Sequence, residues 1–139
     1  MSSESVVYGA CNCGAVTITI PQSSLPKSSL ACHCRNCKSS SGSLFSLNLV
    51  VPTKDVTITG KPNNYKEKEC ASGHHMSRYF CHTCGSAIMS IVSEDPSVAY
   101  VKTGVLAKSG MDLPPPKVQA WWRRAEAFEK PFLECDTVE

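Results

Sequence analysis

Long hydrophobic runs are missing from this chain of 139 residues. The longest run of large aliphatic residues is Leu49-Val50-Val51, far short of the ~20 apolar residues that a helix needs to cross a bilayer. Residues 1–30 contain no stretch resembling the apolar centre of a signal peptide, and no Asn-x-Ser/Thr glycosylation site occurs. We therefore expect no membrane partner and a cytoplasmic protein whose thiols stay reduced.

A strong excess of charge is also absent, since 14 basic residues face 12 acidic ones and the net charge is +2. Nucleic-acid binding would require a basic cluster, and the pair Arg123-Arg124 is closely followed by Glu126 and Glu129. The charge pattern therefore argues against nucleic acid as a partner and leaves the oligomeric state open. Aromatic residues make up only 7% of the chain, but the 42% of hydrophobic residues suffice for the core of one small domain.

Short segments of alternating or β-branched residues dominate the chain, and no long helical pattern separates them. Residues 16–20, for example, alternate with period two, and turn-forming residues lie between such segments. This pattern predicts one mainly β, antiparallel domain with few short helices. The predicted strands are residues 16–20, 44–51, 56–59, 65–69, 76–80, 87–92 and 98–103.

The predicted domain covers residues 7–133, with an N-terminal tail at 1–6 and a frayed C-terminal tail at 134–139. A stiff spacer of three prolines at 114–116 leads into Trp121-Trp122. A short helix is predicted over residues 123–130, and Pro131 would end it.

Nine cysteines are unusual in a chain of this composition, and an odd number leaves one thiol over in any complete disulfide framework. Two pairs occur in turns that end in glycine, Cys11-Asn12-Cys13-Gly14 and Cys81-His82-Thr83-Cys84-Gly85. Each turn can direct two thiolates at one ion, and together they would close a tetrahedral, structural zinc site that stabilises a small core. Disulfides and inert buried cysteines are the alternatives.

A third cluster consists of Cys32, Cys34 and Cys37, with no fourth cysteine beside them. Three protein ligands and one open position are typical of a catalytic zinc, whose free site takes water or a substrate atom. The residues alone leave open a second interpretation, in which the site is structural. Its fourth ligand would then be Cys70, His33, His74 or His75.

Three separated motifs, in this order, resemble the glutathione-dependent formaldehyde-activating enzyme family, which also includes centromere protein V. The first motif spans residues 9–16, the second spans 32–38 with Ser41-Gly42-Ser43 and Phe45 behind it, and the third spans 78–86. Gly104-Val105-Leu106 and a late tryptophan, Trp121 or Trp122, complete the pattern. The similarity extends from about residue 7 to residue 122.

The resemblance implies a tent-like β fold with two zinc ions per chain. By this resemblance the structural zinc is held by Cys11, Cys13, Cys81 and Cys84, and the catalytic zinc by Cys32, Cys34 and Cys37. Members of the family are classed as carbon–sulfur lyases that form or cleave the adduct of glutathione and formaldehyde. Two features depart from the family pattern: Lys38 stands where an arginine is common, and Cys70 has no counterpart role.

The resulting prediction is a zinc-dependent carbon–sulfur lyase-type enzyme that joins glutathione to, or releases it from, formaldehyde or a larger electrophile. Substrate sulfur would meet the zinc of the three-cysteine site, and Arg35, Lys38 and Arg78 are candidate contacts for the carboxylates of glutathione. The alternative is a non-enzymatic, zinc-stabilised module that binds protein or chromatin. An exchange-factor chaperone of similar fold would need only the structural zinc.

Overall fold

A computed structural model describes residues 5–68 and 72–139, and it shows a mainly β protein, as the sequence predicts. The strands are β1 Val6–Ala10, β2 Thr17–Pro21, β3 Ser29–Cys32, β4 Ser46–Pro52, β5 Thr57–Thr59, β6 Asn63–Glu67, β7 Met76–Phe80, β8 Ala87–Val92, β9 Asp95–Lys102, β10 Pro116–Ala120 and β11 Asp136–Val138. Helix α1 covers Arg35–Ser41, and 3₁₀ segments cover Gln22–Ser24, Thr53–Asp55, Thr103–Ser109 and Trp122–Arg124.

The strands form two open sheets. Strands β1, β2 and β5 form the smaller sheet, and the larger one has the order β11-β10-β3-β4-β9-β8-β7-β6. Each of the seven predicted strands overlaps an observed one, and the predictions 76–80 and 87–92 match β7 and β8. Residue 69, at the end of one predicted strand, lies outside the described residues.

The larger sheet has two different faces, because alternate side chains of a strand point to opposite sides. Leu49, Val51 and Val101 are fully buried and belong to the apolar core, which also contains the inward-facing residues of β2. Asn48 and Lys102 occupy the intervening positions of the same strands and are direct cross-strand neighbours. The second face of the sheet therefore carries polar groups, and it positions the candidate site described below.

The larger sheet is mixed, which corrects the prediction of a purely antiparallel domain. Strand β10 runs parallel to both β3 and β11. Parallel neighbours need a crossover connection, and the 3₁₀ segment Thr103–Ser109 with the following prolines supplies it. Ser29 holds the segment that leads into β10. Its backbone N–H donates to the Pro115 carbonyl at 2.7 Å, and its hydroxyl donates to the Pro114 carbonyl at 2.8 Å.

The helix predicted over residues 123–130 is wrong, because only the single 3₁₀ turn Trp122–Arg124 forms. Glu126 and Glu129 in this segment are instead held by side chains of the α1 region, Lys38 and His33. The frayed tail predicted at 134–139 is also partly wrong, since β11 pairs with β10. The outer bounds of the domain stay a prediction.

Within the described part of the chain, no helix combines the length and apolar character needed to cross a membrane.

Candidate metal centres and the adjoining cavity

The four-thiol cluster (Cys11, Cys13, Cys81, Cys84) lies where the turns after β1 and β7 meet. Its sulfur atoms all lie within 4.8 Å of one another, and Cys13 Sγ is 3.7 Å from the sulfurs of both Cys11 and Cys81. The two turns are also joined directly, because the Asn12 backbone N–H donates to Ser86 Oγ at 2.9 Å. Four convergent thiols can enclose one ion completely and leave no coordination position for a substrate.

Glycine ends both turns of this cluster for a conformational reason. Gly14 has a φ of +82° and Gly85 a φ of +77°, in the left-handed region that other residues enter only at a cost. The sequence signal of Cys-x-Cys-Gly and Cys-x-x-Cys-Gly therefore reflects a backbone that folds beneath the thiols.

The electrostatics of the four-thiol cluster fit a bound cation. Hydrogen bonds from the Ser86 hydroxyl, and then from backbone N–H groups, lower the pKa of Cys84 to about 5. The Ala15 backbone N–H lowers the pKa of Cys13, but burial and the neighbouring thiols outweigh it and raise that pKa to about 11. Adjacent thiols resist losing their protons together, and a divalent cation removes this conflict.

The three-thiol cluster (Cys32, Cys34, Cys37) is built where β3 passes into α1, and its sulfurs also lie within 4.8 Å of one another. Cys34 is the N-cap of α1, and its sulfur accepts the backbone N–H of Cys37 at 3.3 Å. A thiol thus does here what a serine or asparagine side chain commonly does at a helix start. Helix α1 is a short run of mostly polar residues without the apolar periodicity by which a helix is recognised in a sequence, so it was missed.

The three thiols also differ sharply in their tendency to ionise. Hydrogen bonds with Cys34 and Cys37, together with burial, raise the pKa of Cys32. Hydrogen bonds from Cys32, which has the largest effect, from Cys34 and from Ser46 lower the pKa of Cys37 to about 2. One thiolate is therefore favoured at the expense of the other thiols, and a zinc ion would accommodate all three as thiolates.

Among the described residues, three ligand groups surround this second centre. His33 is fully buried and its Nε2 is 3.0 Å from Gln119 Nε2, whereas its Nδ1 lies 3.3 Å from Glu129 Oε1 without hydrogen-bond geometry. His75 Nδ1 lies 2.7 Å from a carboxylate oxygen of Glu94. Cys70, another fourth ligand considered from the sequence, lies outside the described residues.

The tautomer of His33 follows from the hydrogen-bond network around it. Gln119 Oε1 accepts the backbone N–H of Phe132 at 2.8 Å, so its amide nitrogen faces His33 Nε2 and donates to it. Burial is the largest influence on His33 and lowers the pKa of its imidazole. The neutral ring therefore carries its proton on Nδ1, towards Glu129, and joins the cluster segment to the C-terminal segment.

We expect Gln119→Leu to lower the free energy of unfolding by roughly 1–3 kcal/mol, because it leaves buried polar groups of His33 and Phe132 without a partner. Urea unfolding of the metal-loaded protein measures this loss. Gln22→Leu is the control, since Gln22 is exposed. Equal stability of the two variants would contradict the bridging role of Gln119.

A cavity of about 230 Å³ adjoins the three-thiol cluster, and all three of its cysteines line it. The second face of the larger sheet contributes polar and apolar side chains to the same lining. The polar residues include Asn48, His74, Arg78, Ser90, Tyr100 and Lys102. The apolar lining includes Leu30, Met76, Val92, Ala120 and Trp121.

Trp121 is held over this cavity in a strained backbone conformation. Its φ is +55°, a region that costs a bulky residue of the order of 1–3 kcal/mol, and the Arg123 guanidinium carbon lies 4.7 Å from its ring centroid. The sequence drew attention to Trp121-Trp122 but contained no signal for this geometry. Trp122 instead packs edge-on against His33, with the ring centroids 5.2 Å apart.

The three cations considered from the sequence occupy different places. Arg78 lines the cavity, and its Nε and Nη2 donate to Glu67 Oε2 at 3.1 and 2.9 Å. Lys38 donates to Glu126 Oε1 at 2.6 Å and to the Arg124 carbonyl. Arg35 is exposed at the start of α1 and does not line the cavity.

Sequence reasoning missed Lys102 and its partner Asn48. Lys102 Nζ donates to Asn48 Oδ1 at 2.8 Å, and Asn48 Nδ2 donates to Ser46 Oγ at 3.0 Å. Ser46 in turn contacts the Cys37 thiol, so the chain of hydrogen bonds ends at the cluster. The available signal was the alternation of polar Ser46 and Asn48 with Leu47 and Leu49 in a strand otherwise rich in aliphatic residues.

The fold and site define a class of mainly β proteins with two thiol clusters that could each hold a metal ion, one closed and one facing a cavity. The glutathione-dependent formaldehyde-activating enzyme family matches residues 6–124, and the chain belongs to this family. The motifs quoted from the sequence thus identified the family correctly.

Two individual proteins are similar to this chain, one in sequence and the other in fold. A Penicillium rubens protein that carries the provisional name glutathione-dependent formaldehyde-activating enzyme is 30% identical over 87 residues, which are 61% of this chain and 44% of that protein. The chain thus matches less than half the length of this relative. A crystal structure of a Rhodobacter sphaeroides protein matches 78% of this chain and 99% of its own with a TM-score of 0.53, and at 17% identity it supports the fold.

Proposed function

We propose that this protein is a zinc-dependent, carbon–sulfur lyase-type enzyme that forms or cleaves the bond between glutathione sulfur and a small electrophile. The electrophile is formaldehyde or a larger carbon compound, and the site of action is the three-thiol cluster. One observation carries this proposal: the three-thiol cluster opens into a cavity, whereas the four-thiol cluster is complete. Family membership supports the involvement of glutathione.

Zinc held by Cys32, Cys34 and Cys37 would supply one further coordination position and stabilise the thiolate form of a substrate sulfur placed there. The protein itself orients this centre through the N-cap contact of Cys34 and the hydrogen bond between Ser46 and Cys37. The apolar lining of the cavity excludes water from the reacting carbon, and this exclusion strengthens the electrostatic interactions within the cavity.

Substrate contact is proposed first for Arg78, because it is the cation of the predicted set that lines the cavity. Its guanidinium is oriented by Glu67, and it retains N–H groups with which to bind a carboxylate of glutathione. Arg35 and Lys38 remain candidate contacts on the outer surface of α1, where Lys38 already pairs with Glu126. We place the reaction in the cytoplasm, where glutathione and protein thiols are reduced.

A purely structural or chromatin-binding module would need only metal centres that stabilise its fold. The adjoining cavity and its buried polar groups would have no purpose in such a module. Arg78 and Ser90 are at most 9% exposed, and buried polar groups of this kind need hydrogen-bond partners, which Glu67 supplies for Arg78.

The experiment that tests the function is calorimetric titration of glutathione into protein whose zinc content has been counted, with S-methylglutathione as the matched ligand. We expect one zinc ion per cluster and binding at least about tenfold weaker for the methylated ligand, because its sulfur cannot become a thiolate. Zinc in one cluster only, or equal binding of the two ligands, would contradict the proposal.

A further inference from the structure

Lys102 is a cation without a carboxylate partner among the residues that the structure describes. Its Nζ donates to the neutral Asn48 amide, and the ion pairs of the described residues do not include it. Arg78, the other cation of the cavity, is already compensated by Glu67 at 2.9 Å. The cavity thus contains one ammonium group that no described carboxylate neutralises.

The position of Lys102 is held by the sheet and by Asn48. Lys102 and Asn48 are direct neighbours across β4 and β9, and Leu30 is the next residue in the same row, on β3. The Asn48 amide is oriented from its other side, because its nitrogen donates to Ser46. With one N–H donated to Asn48, the ammonium retains two further donors.

The surroundings of Lys102 favour an anionic ligand over water. Burial is the largest influence on Lys102 and lowers the pKa of its ammonium, while the thiols of Cys37, Cys32 and Cys34 act in the opposite direction. An anion that pairs with the ammonium offsets the lost solvation, and the apolar lining strengthens the attraction because it keeps the local dielectric low.

The volume of the cavity restricts which part of a substrate can supply that anion. At about 230 Å³ it is smaller than the roughly 300–1,000 Å³ of sites that enclose drug-sized ligands. The tripeptide glutathione, with both of its carboxylates, would therefore lie largely outside, and the cavity would receive its sulfur and the group attached to that sulfur.

We propose that Lys102, positioned by Asn48, is a carboxylate subsite for the electrophile-derived part of the substrate. The preferred substrates are then adducts whose carbon skeleton carries a carboxylate close to sulfur, formed from small electrophilic acids. This rests on the proposed function, since it assumes that substrate sulfur lies at the three-thiol cluster. It makes the site selective for an acid over formaldehyde, whose adduct has no such group.

The test is calorimetric binding of two small thiols to the zinc-loaded protein: mercaptoacetate and its neutral counterpart mercaptoacetamide. The ligands differ in the carboxylate but place sulfur and carbon alike. We expect Lys102→Met to weaken mercaptoacetate binding by about tenfold or more and to leave mercaptoacetamide binding nearly unchanged. Comparison of each variant with the unmodified protein cancels the difference between the two thiols in acidity.

Two further variants make the result specific. Lys54→Met removes an exposed cation from the 3₁₀ segment Thr53–Asp55, and we expect it to leave the binding of both thiols unchanged. Asn48→Asp keeps Lys102 but places a carboxylate where Asn48 Oδ1 now lies, 2.8 Å from its ammonium. It should abolish the preference for mercaptoacetate, and it provides the test if Lys102→Met fails to fold or to retain its zinc.

Equal weakening of both thiols in Lys102→Met would overturn the subsite, because Lys102 would then act only as a counter-charge to the thiolate cluster. An equal loss in the affinity for glutathione itself would also overturn it, because the carboxylate would then come from glutathione. Failure of glutathione to bind, with the mercaptoacetate effect intact, would instead contradict the proposed function and leave the subsite standing.

Discussion

Replacement of Cys37 by serine is expected to abolish glutathione binding and leave the rest of the metal content intact. Cys37 is one of the three candidate ligands in the three-thiol cluster, and it is the thiol that its surroundings favour most as an anion. Serine is close in size but is a poor ligand for zinc, so the open centre would lose its ion. We expect zinc to fall to the ion of the four-thiol cluster and glutathione affinity to fall by roughly a hundredfold or more.

Zinc counting and calorimetry on the same preparation check this result, with circular dichroism to verify the fold. Cys135→Ser is the matched control, since Cys135 is a free thiol outside both clusters. Glutathione binding that survives in Cys37→Ser together with full loss of the second zinc would show that the substrate does not need this centre.

Replacement of Cys13 by serine is expected to have the largest effect on stability. The four-thiol cluster lies between the turn after β1 and the turn after β7, so an ion bound there would tie together segments distant in the chain. Structural zinc sites contribute roughly 10–16 kcal/mol of apparent binding free energy in small domains, which is comparable with the whole stability of such a domain. Cys13 is exposed, so the substitution removes a metal ligand and leaves the apolar core untouched.

We expect Cys13→Ser to lower the unfolding midpoint strongly or to abolish cooperative unfolding at 25 °C. Thermal unfolding with and without a chelator measures it, and chelation should bring the unmodified protein close to the variant. Cys135→Ser again serves as the control. If the unmodified protein unfolds at the same temperature with and without zinc, the four-thiol cluster is not what stabilises the fold.

Spacing and periodicity are the two local signals that made the thiol clusters and the central strands predictable. Thiol pairs followed by Gly14 and Gly85 require a particular backbone turn, and that requirement is visible in a local stretch of sequence. Alternating apolar residues likewise predicted the central strands, because a strand buried on one face needs that period. Strands β1, β3, β10 and β11 were missed, since each has at most five residues and forms beside a partner strand that the local sequence does not reveal.

The limits of local signals appear at the C-terminal end of the domain. Residues 123–130 have the composition of a short helix, but contacts of Glu126 with Lys38 and of Glu129 with His33 hold them in another conformation. The parallel arrangement of β10 likewise depends on its pairing with β3. The residues of β10 alone do not specify the direction in which the neighbouring strand runs.

The residue sequence was sufficient to establish the family, the two cysteine clusters and the mainly β architecture, since each depends on short motifs or on a local period. The cavity depended on the assembled sheet, because Arg78, Asn48 and Lys102 lie on three different strands and meet through cross-strand register. The strained backbone of Trp121 is likewise sustained by contacts that surround it. The candidate metal ligands could therefore be recognised in the chain, whereas the surroundings of the clusters arise only when distant strands are brought side by side.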